Sequence, residues 1–129
     1  MLIFPLKKQW YEKIKSGEKT IEYREVKEFW CRRFYNEMIT ELKSIYGSKI
    51  LKTFPNFSEF IEKLNDSPWL FGAILQSTSK VWNCKLQLGY TNRYMTAKIT
   101  NVEIINGKDT DLKIDKPVFA IYLANVKEV

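Results

Sequence analysis

The sequence predicts an α+β protein built on a small mixed β-barrel, and three observations predict it. A short apolar run opens the chain, and a brief amphipathic helical pattern follows it. A strand-like segment near residues 20–26 then leads into a long stretch of helical periodicity. The last third alternates apolar and polar residues in segments separated by turn signals, as antiparallel strands do. The implied order is β-α-β, then helices, then three or four antiparallel strands, with a helical insertion at about 31–80 after the second strand. A chain of 129 residues suits a single domain, 1–129, with one core.

Each element has its own signal. Leu2 to Leu6 is an apolar run containing Pro5, read as the first strand or its exit. Leu6, Trp10 and Ile14 recur at helical spacing and Gly17 follows Ser16 as a stop, which predicts a helix from Lys7 to Ser16 with Trp10 in the core. The period then becomes two. Ile21 and Tyr23 fall on one face and are read as the buried side, while Thr20, Glu22 and Arg24 form an unusually polar second face. From Trp30 the helical period returns through Phe34, Met38, Leu42 and Ile45, ending at Gly47. A further helix starts at Asn56 or Ser58, either of which can cap it, with Phe57, Phe60, Ile61 and Leu64 inward. Trp69 to Leu75 fits a strand or a buried helical turn equally. Residues 31–80 are expected to be mostly helical and to form a separate flap or cap beside the barrel, with their apolar stripe buried on the barrel or against a second copy. Trp82, Cys84, Leu86 and Leu88 alternate, and Gly89 marks a turn. Met95, Ala97 and Ile99 alternate until the phase slips to Val102 and Ile104, which predicts a bulge near Asn101. Asn106-Gly107 signals a turn, and Pro117 opens a last strand with Phe119, Ile121 and Leu123 on one face.

Composition removes whole classes of chemistry. The chain contains no histidine, which excludes imidazole bases, serine–histidine and cysteine–histidine pairs, and histidine-ligated metals. Cys31 and Cys84 are too few for a disulfide framework or a zinc site and read as small buried hydrophobes. Neither a metal nor another cofactor is expected. The apolar start is interrupted by Pro5 and then lysines, unlike a signal peptide, and the longest apolar stretch is too short for a bilayer. A cytoplasmic protein without a membrane partner is the expectation.

The formal charge of +6 invites an anionic partner, and its distribution is uneven. Residues 1–52 hold 12 basic and 7 acidic side chains, and 80–105 hold 4 and 1. Two basic segments can converge into a patch for nucleic acid, although surface lysine also serves plain solubility. The densest polar constellation is Gly17-Glu18-Lys19-Thr20-Ile21-Glu22-Tyr23-Arg24-Glu25. Same-face strand neighbours lie about 7 Å apart, so Lys19, Glu22 and Arg24 are expected within about 8 Å of one another in a concave site. The alternative is an ordinary ion pair on a solvated strand face. Tyr90, Arg93 and Tyr94 cluster at a turn, where a ring beside a cation suits a base and its phosphate, or else hairpin-edge packing. Lys7-Lys8 and Arg32-Arg33 form basic pairs beside the motif, suited to phosphate contact or to solvated helix ends.

The run Gly17 to Arg24, preceded by the Trp10…Ile14 helix, resembles the signature of the ASCH domain family in the PUA-like superfamily. Leu2-Ile3-Phe4-Pro5-Leu6 and Leu86-Gln87-Leu88-Gly89-Tyr90 fit the first strand and a central strand-plus-turn of such domains. The resemblance covers about residues 1–30 and 81–126 and implies a PUA-like β-barrel. It further implies a cleft beside the motif, lined by Lys19, Glu22 and Arg24, and a role in binding RNA. Small bacterial relatives are amidohydrolases acting on acetylated cytidine. They share the lysine matched by Lys19 but carry a nucleophilic threonine where this chain has Glu22, while Thr20 belongs to a different position.

Two function classes follow, with a weaker third. In the first, the chain is a module binding RNA, other single-stranded nucleic acid or a nucleotide through a basic cleft. Lys19, Thr20, Glu22 and Arg24 line it, with Arg32, Arg33, Tyr90, Arg93 and Tyr94 as further contacts. In the second, it is a hydrolase acting on a modified nucleoside or on RNA, with Lys19 as acid/base and Glu22 as carboxylate. The third is a protein-interaction module docking through the helical stretch.

Overall fold

A computed structural model describes residues 1–78 and 82–129. Five strands form one sheet in the order β1-β3-β4-β5-β2, curled into a half-barrel. They are β1 (Leu2–Leu6), β2 (Ile21–Glu25), β3 (Trp82–Leu88), β4 (Tyr94–Asn106) and β5 (Pro117–Glu128). Among the described residues there are four α-helices: α1 (Lys8–Lys15), α2 (Glu28–Tyr46), α3 (Phe57–Asp66) and α4 (Leu70–Thr78). The expectation of an α+β protein with a curled sheet is met at that level. The segment open to either reading, around Trp69 to Leu75, is helical.

The two strands closest to the start of the chain are the sheet's edges. β1 runs parallel to β3, with Leu2 opposite Cys84 and Leu6 opposite Leu88. This is why a helix-containing crossover must separate the first strand from the rest. Pro5 donates no backbone hydrogen bond, and an edge strand is where a sheet tolerates it. The other edge, β2, pairs antiparallel with β5, Glu22 opposite Ile121 and Arg24 opposite Phe119. β4 slips register between Ile99 and Asn101, where the loss of alternation located a bulge, and again between Thr96 and Lys98.

Paired residues on adjacent strands point to the same side of a sheet. Ile121 and Phe119 belong to the core, so Glu22 and Arg24 turn toward the concave, core-facing side. Alternation alone put Ile21 and Tyr23 on the buried side, whereas Glu22 is the buried residue of the strand and Ile21 and Tyr23 are half-buried; the expected grouping of Lys19, Glu22 and Arg24 on a concave side is the arrangement found. Two-residue alternation identifies two faces but not which of them meets the core, and here the sheet's curl turns the polar face inward.

The helical stretch is not a detached flap. It starts at Glu28, and its stripe forms one continuous core with the strands. Phe34, fully buried on α2, lies 4.8 Å from the Phe119 ring, 5.5 Å from Phe71 and 6.3 Å from Phe4 and Trp82. The sheet's concave side needs an apolar cover, and α2 supplies it. Cys31 joins the buried stripe and Ile45 is exposed, a rotation toward the sheet that spacing alone leaves open. Asn56 caps α3 by accepting from the Glu59 N–H. Gly72 lets α4 approach the β4 bulge, because a Cβ there would collide with the Asn101 amide. The expected end of the helical stretch, near residue 80, lies outside the described residues.

Phe34→Ala removes the ring on which the sheet and two helices converge. It should destabilise the fold by about 3–5 kcal/mol, measured by urea unfolding.

Candidate functional site

The loop after α1 aims Lys19. Gly17 adopts φ +85°, a conformation that glycine accepts without strain, and the Lys19 N–H reaches back to the Lys13 carbonyl at 3.0 Å. The chain thereby folds over the helix end, bringing the Lys19 side chain against Trp10. Its Nζ lies 5.3 Å from the Trp10 ring centre and 4.9 Å from that of Tyr23. It pairs with Glu22 Oε1 at 3.5 Å and donates to Asp111 Oδ2. The side chain is 9% exposed, so the ammonium is almost wholly enclosed by two rings and two carboxylates.

Glu22 is the hub. Oε1 accepts from the Tyr23 N–H at 3.0 Å and faces Lys19, while Oε2 accepts from Arg24 Nη2 at 3.0 Å. The same Arg24 nitrogen donates to the Pro5 carbonyl at 2.7 Å. The guanidinium lies 5.1 Å from the Trp30 ring centre and 5.5 Å from that of Phe4. Arg24 Nε is buried without a hydrogen-bond partner among the described residues. Asp111, Lys19, Glu22 and Arg24 thus form an alternating array of charges running into the seam between the two edge strands.

Asp111 carries no local signal of its role, being 92 residues from Lys19. Its loop is shaped by Thr110, whose buried hydroxyl donates to the Gly107 carbonyl at 2.8 Å and accepts from the Leu112 N–H. A cleft of about 390 Å³ opens over the array. Trp10, Tyr23 and Leu112 contribute its rings and apolar wall, Glu22, Arg24 and Asp111 its polar floor, and Lys7 is also in the lining. Trp10 is therefore a cleft residue rather than the core residue expected, and its neighbour Tyr11 is the one buried. A second depression of about 340 Å³ shares Trp10, Tyr23 and Asp111 and includes Lys19 and Thr20. Burial, and next the Asp111 and Glu103 carboxylates, push the Tyr23 phenol above its ordinary value, so it stays a neutral hydroxyl.

The cleft is not lined by net positive charge: Lys7 and Arg24 stand against Glu22, Glu25 and Asp111. The remaining candidates lie elsewhere. Arg32 pairs with Glu28 at 2.9 Å on α2, and Arg33 stacks over Phe29. Tyr90 projects from the β3–β4 turn, 92% exposed. Arg93 and Tyr11 both donate to Glu128 Oε2, at 3.0 and 2.8 Å, while Lys15 pairs with Oε1 at 3.1 Å. Tyr94 lies under the Lys85 ammonium, 4.6 Å from ring centre to Nζ. Neither thiol is a nucleophile in waiting, because burial raises both, Cys84 to about 12. Among the described residues no cluster of acidic and thiol groups is arranged to hold a metal ion, and no helix is long and apolar enough to cross a membrane.

Comparison with protein-family models, curated proteins and solved structures found no match.

Two outcomes test this geometry. Glu22→Gln leaves two enclosed cations short of a counter-charge. It should destabilise the fold by about 3 kcal/mol in urea unfolding, the lower end for a broken buried pair because Asp111 and Pro5 keep their contacts. The hydrogen bond from Tyr11, then Lys15 and Arg93, holds Glu128 down at about 2 against an ordinary 4.5. Its contribution is complete above pH 4.5 and disappears as pH falls toward 2. The melting-temperature gap between wild type and Glu128→Gln should therefore close across that window.

Proposed function

We propose that this protein binds a nucleotide, free or at an unpaired position of RNA, with the base in the cleft that Trp10, Tyr23 and Leu112 line. The observation that carries the reading is the pairing of aromatic walls with a floor of fixed hydrogen-bond groups of both kinds. A nucleobase offers flat π faces for stacking, and its edge carries donors and acceptors together. Glu22 and Asp111 supply acceptors for an exocyclic amine. The Arg24 guanidinium lines the cleft and supplies donors for a base carbonyl. The cleft volume falls within the range of roughly 300–1,000 Å³ usual for small-ligand sites.

Charge assigns the roles differently from a basic cleft. Lys19 and Arg24 are already neutralised by carboxylates, so they order the site and recognise polar edges rather than attract phosphate. Lys7, exposed and without an ion pair among the described residues, is the phosphate contact. The resemblance to ASCH domains, and through it to the PUA-like barrel, supports the same reading, since it implies a cleft beside the Gly17–Arg24 motif and binding of RNA.

A hydrolase is the second reading, favoured by the contact between Asp111 and Lys19. Glu22 is poorly suited to activate water, because both of its oxygens are engaged. Asp111 would be the working carboxylate beside Lys19. Release of acetate from acetylated cytidine, lost in Asp111→Asn, would establish this reading in place of simple binding.

Calorimetric titration with cytidine and cytidine monophosphate tests the proposal. Trp10→Ala should weaken both by about 5- to 150-fold, the loss of one stacking contact worth about 1–3 kcal/mol. Lys7→Ala should erase the preference for the nucleotide over the nucleoside, while Lys19→Ala weakens both alike. Binding of neither ligand at millimolar concentration, or no effect of Trp10→Ala, overturns the reading.

A further inference from the structure

We propose that the convex face of the sheet, opposite the helices, is a second binding surface that tracks the phosphate backbone of single-stranded nucleic acid. The strands turn Trp82, Cys84, Leu86, Met95, Ala97 and Ile99 to the core. Their alternate residues, Asn83, Lys85, Tyr94, Thr96 and Lys98, face the other way, and Lys127 joins them through its register with Thr96. No element packs over this part of the face among the described residues: Asn83, Lys98 and Lys127 are exposed, and Lys85, Tyr94 and Thr96 are half-buried.

The face is chemically one-sided. Lys85, Lys98 and Lys127 form no ion pair among the described residues, and the Lys85 ammonium lies over the Tyr94 ring. The nearest carboxylate in sequence, Glu128, is held by Tyr11, Arg93 and Lys15. This contrasts with the cleft, where every enclosed cation has its counter-charge. The lysines are also placed in order. Lys85 and Lys127 both stand level with Thr96, on either side of it, and Lys98 is two residues further along β4. Diagonal neighbours of this kind lie about 7–8 Å apart. The result is a zigzag of unpaired cations across three strands, a spacing that long lysine side chains can match to successive phosphates.

Two grooves complete the surface. One, of about 410 Å³, runs beside Lys98, Lys127 and Asn125, where Asn125 adopts φ +53° as the strand leaves its register. The other, of about 220 Å³, is lined by Tyr94, Lys85 and the amides of Gln87 and Asn92. The first suits backbone and the second a base stacked beside a ring. Amide and aromatic groups next to the cations favour nucleic acid over an acidic protein segment or an anionic membrane, which would use charge alone. The choice of nucleic acid rests in part on the cleft reading above. The presence of a polyanion surface does not.

The test uses the full chain and a labelled oligouridylate about 12 nucleotides long, a length within the range for single-strand sites. Wild type should bind at low salt with an affinity that falls steeply as salt rises. Replacing Lys85, Lys98 and Lys127 together with glutamine should weaken binding at least tenfold and flatten the log–log salt slope by about 2, three contacts at roughly 0.7 each. Cytidine monophosphate binding in the cleft should stay unchanged in that variant. Tyr94→Ala should weaken the oligonucleotide without altering the slope. If the triple variant keeps both affinity and slope while Trp10→Ala removes binding, the face is overturned and the cleft stands. If Trp10→Ala changes nothing and the triple variant removes oligonucleotide binding, the cleft reading fails and the face stands. Equal lysine-dependent binding of heparin or phosphatidylserine vesicles overturns the assignment to nucleic acid.

Discussion

Arg24 stands in the gap that the half-barrel leaves open. The sheet begins at β1 and ends at β2, and the two edges meet through a side chain rather than through backbone pairing. One guanidinium nitrogen donates to the Pro5 carbonyl on β1 and to Glu22 on β2. It lies against the stacked pair of Phe4 and Trp30, so the same group ties both edges to the first turn of α2. An open edge is a hazard in a sheet, and a charge turned inward beside a proline is one way of blunting it. A guanidinium suits the position because it is planar, stacks on rings and offers several donors in fixed directions.

The consequence reaches the candidate site directly. Glu22 must be buried to hold Arg24, and a buried carboxylate needs more than one partner. Lys19 and the Tyr23 N–H complete its set. Lys19 in turn needs Asp111, which the loop between β4 and β5 provides. The cleft floor is thus an outgrowth of the strand seam: closing the half-barrel and ordering the site are the same set of contacts. The most conspicuous cations of the sequence, Lys19 and Arg24, are therefore paired with carboxylates. Their charge is spent inside, and the net positive charge of the protein is expressed on other surfaces, including the uncovered side of the sheet.

Much of the fold was legible in the chain because its signals are local. Gly17 after the Trp10–Ile14 spacing, a cap at Asn56 or Ser58, the phase slip before Val102 and the alternation from Trp82 each depend on neighbouring residues, and each marks the element found there. The grouping of Lys19, Glu22 and Arg24 was legible for the same reason, since strand spacing alone brings i and i+2 together. Less legible was the side of β2 that faces inward. A strand with apolar Ile21 and Tyr23 opposite polar Glu22 and Arg24 reads as polar-out, and only the seam between edges turns it over. The contrast between Trp10 and Tyr11 is similar: either can be buried by a short helix, and the packing of α1 beside β3 and β5 chose the tyrosine.

The sequence by itself determined the type of every element except the one around Trp69 to Leu75, the α+β class, the absence of imidazole chemistry and the cluster of charges after Gly17. These are properties of composition and short-range periodicity, which need no knowledge of what lies across the molecule. Only the tertiary structure decided that the helical stretch fills the sheet's concave side, that Asp111 completes the site, and that the cleft's cations are neutralised while those on the sheet's outer face are not. Each of these depends on contacts between residues far apart in the chain. Charge counted along a sequence cannot say which charges meet, and that pairing is what separates the ordered charge array of the cleft floor from cations that face solvent.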